Sequence, residues 1–69
     1  MQIVYSEHAI KRMKQRGITE LEIMHVLVFP EKVIKIHNNR KEAIGTVYNR
    51  NIKIIFENIE NYIKIITVI

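Results

Sequence analysis

The sequence has no cysteine, no tryptophan and no aspartate, a single proline and only two glycines. Without cysteine there is no disulfide framework and no thiolate zinc site. The three histidines, His8, His25 and His37, are too scattered for a standard ligand spacing, so neither a metal nor another cofactor is expected. There is no glycine-rich phosphate loop, and no paired-carboxylate, Ser/His/Asp or Cys/His arrangement. Classical hydrolase chemistry therefore has no support. Long apolar runs are missing as well: the longest read as short strands, and the opening residues lack the charged-then-apolar layout of a signal peptide. A cytoplasmic protein without a membrane partner is the expectation.

What remains is small and basic. The 69 residues show no repeats, linkers or low-complexity tracts, so residues 1–69 read as a single domain with one thin core. The formal charge is +4, and every acid is a glutamate. Lys11, Arg12, Lys14 and Arg16 face a single nearby carboxylate, Glu7, which makes one helix a local basic patch suited to an anionic partner.

The first half carries helix signals. Ser6 reads as the N-cap of a helix over about Glu7 to Arg16, with Ala9, Ile10 and Met13 on its apolar side. Gly17 suits the left-handed residue that stops it, with Ile18 folding back on Met13. Thr19 and Glu22 form a capping box for a second helix running to about Val28, which Phe29-Pro30 ends. Within that helix His25 is expected to be a partly buried packing residue.

From Lys32 onward, isoleucine- and valine-rich runs alternate with asparagine-rich breaks that suit turns. Strands are expected at roughly 32–37, 41–48, 52–57 and 62–68, while Ile3-Val4-Tyr5 reads as a stub or extended lead-in beside the sheet. Gly45 signals a bulge or a close approach by another group. The predicted fold is α+β: two N-terminal helices packed on one face of a four-stranded antiparallel sheet. Alternation puts Lys53, Ile55 and Glu57 opposite Ile52, Ile54 and Phe56, and puts Tyr62, Lys64, Ile66 and Val68 opposite Ile63, Ile65, Thr67 and Ile69. The uncovered face is half apolar, so a homodimer or a bound protein partner is a serious expectation.

One constellation stands out. At about 100° per residue, His8, Arg12 and Arg16 fall at about 0°, 40° and 80° around the first helix, along the edge of its buried face. Guanidinium forks bind phosphate oxygens bidentately, and histidine moves a proton near neutral pH. Arg16 in the last turn also fits a purely structural duty towards the helix carbonyls. Spacing alone leaves His8 and Arg12 evenly divided between structure and function.

The stretch "YSEHAIKRMKQRGITELEIMHVLVFPEKVI" resembles the opening of a widespread prokaryotic family of small domains of unknown function, with His-Ala, then Arg, then Arg-Gly-Ile-Thr. The closing "IKIITVI" is similar to that family's last strand. The resemblance implies a fold related to RelE-like toxins and to the metal-independent ribonucleases that include barnase and colicin nucleases. Carried over position by position, the family's polar motif residues fall on His8, Arg12, Arg16 and Thr67. Thr67 enters through this resemblance alone, since a β-branched residue in a strand is otherwise ordinary.

The resulting expectation is a toxin-like, metal-independent endoribonuclease, or a close relative of one. His8 would be the general base, Arg12 and Arg16 would hold the scissile phosphate, and Thr67 would complete the site. RNA is the expected partner, with an antitoxin or other protein as a further one. The alternative is a non-catalytic module for nucleic-acid binding or for protein interaction and oligomerisation.

Overall fold

A computed structural model describes residues 2–69. The elements in chain order are β1 (Gln2–Tyr5), α1 (Glu7–Arg16), α2 (Glu20–Val28), β2 (Lys32–Lys35), β3 (Arg40–Val47), β4 (Arg50–Ile59) and β5 (Tyr62–Val68). Both helices begin and end where local signals place them. The Ser6 hydroxyl oxygen accepts from the Ala9 N–H at 2.9 Å. At the other end Gly17 takes φ +65°, and the Ile18 N–H donates to the Met13 carbonyl at 2.9 Å. That is a Schellman stop, with Met13 and Ile18 both buried. In α2 the capping box closes in both directions: the Glu22 N–H reaches Thr19 Oγ1 at 3.2 Å, and the Thr19 N–H reaches Glu22 Oε1 at 2.8 Å.

The sheet corrects the expectation of four antiparallel strands. Five strands lie in the order β1-β5-β4-β3-β2, and β1 pairs parallel with β5, Ile3 opposite Ile63 and Tyr5 opposite Ile65. The sheet is therefore mixed, while the α+β class stands. A four-residue strand offers too few alternations to signal itself, and its partner lies at the far end of the chain.

Both helices cover one face, α1 over β5 and α2 over β3 and β4. That face contributes Ala43, Gly45, Ile52, Ile54, Phe56, Ile63, Ile65 and Val68 to the interior, against Ala9, Met13, Ile18, Ile23 and Val26. The third expected strand alternates as anticipated, but the fourth does not. Ile55 pairs with Thr67 and Phe56 with Ile65, leaving Ile66 as the extra residue of a β-bulge. After the bulge the alternation inverts, so Val68 is buried and Thr67 shares the uncovered face with Ile55. Gly45 marks a close approach rather than a bulge: a Cβ there would lie 3.1 Å from Val26 Cγ1.

Candidate functional site

The site begins with the cap of α1. The Ser6 N–H donates to the Ile65 carbonyl at 3.0 Å, and its hydroxyl donates to the Ile66 carbonyl at 2.7 Å. One side chain thus starts α1 and holds the bulge of β5. His8 follows Ser6 by two residues and Thr67 follows Ile66 by one, so the helix entry and the bulge are joined at their roots.

Along α1, Ala9 and Met13 form the buried seam; Arg12 beside it is half-buried, while His8 and Arg16 are exposed. The structure brings His8, Arg12 and Arg16 onto one stripe of one helix. It brings Thr67 only as far as the neighbouring strand, facing the uncovered side of the sheet. Among the described residues, no side-chain hydrogen bond or ion pair links any of these four to another.

A structural duty for Arg16 is taken by another residue. Arg50, at the start of β4, donates from Nη1 to the Arg16 carbonyl and from Nη2 to the Gly17 carbonyl at 3.3 Å. The same Nη2 lies 3.5 Å from Glu22 Oε2. Arg50 therefore ties the end of α1 to the capping box of α2. No local pattern in the sequence marks it, because the Arg16 and Gly17 carbonyls that it meets are more than thirty residues away. Glu22 is held below the usual carboxylate range, first by the Thr19 N–H, with the Thr19 hydroxyl and the Arg50 guanidinium adding to that pull against the opposing effect of burial.

The remaining candidates separate from the stripe. A cavity of about 520 Å³ opens beside α1, lined by Tyr5, Ile10, Met13, Lys14, Ile18 and Glu20 among others. Ile10 and Lys14 lie about 200° and 240° round the helix from His8, so this apolar hollow is on the other flank of α1. Burial and the nearby Glu20 push the Tyr5 hydroxyl pKa up. His25, expected to be partly buried, is exposed and tilts against Phe29 with ring centroids 5.4 Å apart. His37 is exposed in the β2–β3 connection. Among the described residues, no group of three or more histidine or glutamate side chains is placed to hold a metal ion, and no helix is long and apolar enough to cross a membrane.

A family model described as a domain of unknown function (DUF4258) matches residues 5–69. The chain belongs to the DUF4258 family. The match spans nearly the whole chain, from Tyr5 through the α1 stripe to the strand bearing Thr67. No curated protein and no solved structure matches this DUF4258 chain. Membership assigns no chemistry by itself, and the likeness to RelE-like and barnase-type ribonucleases has no counterpart in these comparisons.

Proposed function

We propose that this DUF4258 domain is a metal-independent endoribonuclease in which the α1 stripe handles the scissile phosphate. The observation that carries the reading is the state of that stripe: Arg50 meets the carbonyls at the end of α1, and among the described residues the Arg12 and Arg16 side chains have no hydrogen bond or ion pair. In the proposed reaction His8 accepts the proton of a ribose 2′-hydroxyl. The 2′-oxygen then attacks phosphorus as its bond to the 5′-oxygen of the next nucleotide breaks, and that 5′-oxygen takes its proton from solvent water. Arg12 and Arg16 hold the phosphoryl oxygens and offset the charge that grows on them. Thr67, turned to the uncovered face of the sheet, takes no part in this step. The products are a 2′,3′-cyclic phosphate and a 5′-hydroxyl.

Cleavage of RNA in EDTA, compared between the wild type and His8→Ala, tests this. Loss of a general base costs about 10²-fold or more; undiminished cleavage by the variant removes His8 from the mechanism. A second reading, binding without cleavage, is favoured by one feature: His8 is the stripe's only candidate general acid or base, with no second such group beside it to protonate the leaving oxygen. On that reading the wild type leaves RNA intact yet binds it with an affinity that falls steeply with salt, and Arg12→Ala weakens it more than His8→Ala.

A further inference from the structure

A second cationic locus lies away from α1, on the hairpin of β2 and β3. Residues 32–41, "KVIKIHNNRK", hold four lysine and arginine side chains and no acid. Strand register sets two of them directly against each other, Lys35 opposite Lys41. Like charges facing one another across an antiparallel pair destabilise it, so packing alone gives no reason for this arrangement. Between the strands, Asn38 and Asn39 both adopt left-handed conformations, and with Lys35, Ile36 and Lys41 they line a cavity of about 470 Å³.

We propose that the β2–β3 hairpin is an anion-binding element that takes the phosphodiester backbone of a nucleic acid, with Lys35 and Lys41 as paired phosphate contacts. A phosphate placed between two opposed ammonium groups turns their repulsion into attraction to a shared partner. The Asn38 and Asn39 amides both donate and accept, which suits sugar hydroxyls and base edges. Carboxylates of an acidic protein would use only the donors. The site is separate from the α1 stripe, and it stands whether or not His8 cleaves anything.

The test uses the whole chain in a His8→Ala background, so that cleavage cannot confound binding, with a fluorescein-labelled single-stranded RNA read by anisotropy across a salt series. Lys35→Ala/Lys41→Ala is expected to weaken binding at least tenfold and to make the plot of log affinity against log salt shallower by about 1.4, two contacts at about 0.7 each. Its melting temperature should hold or rise, because the repelling pair is gone. Should that variant fail to fold, Lys35→Ala at an exposed position gives the same readout with half the change in slope. Unchanged affinity and slope in the lysine variants, or no binding by the His8→Ala parent at low salt, overturns the proposal. So does displacement of the RNA by polyglutamate more effectively than by unlabelled RNA at equal charge concentration, which would assign the hairpin to an acidic protein.

Discussion

The two helices are of similar length and are both capped by a hydroxyl, yet they place their polar groups in opposite ways. In α1 the charges are outside: Lys11, Lys14 and Arg16 are exposed, and only Ala9 and Met13 are buried. In α2 the exposed residues include Leu21 at 77% exposure, Val28 at 63% and Met24 at 46% beside Glu20 and His25, while Glu22 is buried and committed to the cap. A surface helix is ordinarily apolar on its inner side and polar on its outer one. α1 obeys that rule and has cations to spare for a ligand. α2 carries apolar residues on both sides, and its buried charge works inside the fold, joining α1, β4 and its own first turn through Arg50 and Glu22.

The contrast can be broken most severely from the inside of α2. Ile23 has no exposed surface, and Ile23→Ala should cost about 3 kcal/mol in urea unfolding. Next comes the seat of α2 on the sheet. Gly45→Ala should cost about 1–3 kcal/mol because the new methyl group meets Val26. Combined with Val26→Ala it should cost less than the two single effects added together, and strict additivity would show that the contact does not matter. On α1, Ser6→Ala removes both the cap and the bond to Ile66, for about 1–2 kcal/mol. Hydrogen exchange should then quicken in β5 as well as in the first turn of α1; a change confined to α1 would mean that the bulge holds itself.

Glu22 sharpens the comparison through pH. Its pKa in the folded chain lies below its ordinary 4.5, so its contribution is complete above that value and is lost as pH falls through the folded one. Glu22→Gln should therefore flatten the acid limb of the stability–pH curve, and an unaltered limb would assign that limb to other carboxylates. The smallest effect is expected at Leu21: despite being on the same helix as Ile23, Leu21→Ala should stay within about 0.5 kcal/mol.

What could be read in advance follows the range of each interaction. The ends of α1 and α2 are set by Ser6, Gly17, Thr19 and Glu22, all within four residues of the groups they satisfy, and they are legible. The His8, Arg12 and Arg16 stripe is legible for the same reason, as a matter of helical period. The partnership of β1 with β5, the bulge at Ile66 and the clamp of Arg50 each join distant segments, and no local composition announces them. His25 is exposed where the pattern suggests partial burial, because the apolar residues of α2 extend around most of its circumference and leave the inward side undetermined. Thr67 depended on the bulge: simple alternation puts it under the helices, whereas the extra residue turns it to the uncovered face.

The bond from Ser6 to Ile66 spans sixty positions. As the chain emerges from a ribosome, β1 and α1 are complete long before β5 exists to receive them. Contacts so remote in sequence close late and slow the folding of small domains. Until β5 has been made, the nascent polypeptide carries a basic helix without the strand it packs on. The helix stripe takes up its place on the sheet only after that strand exists.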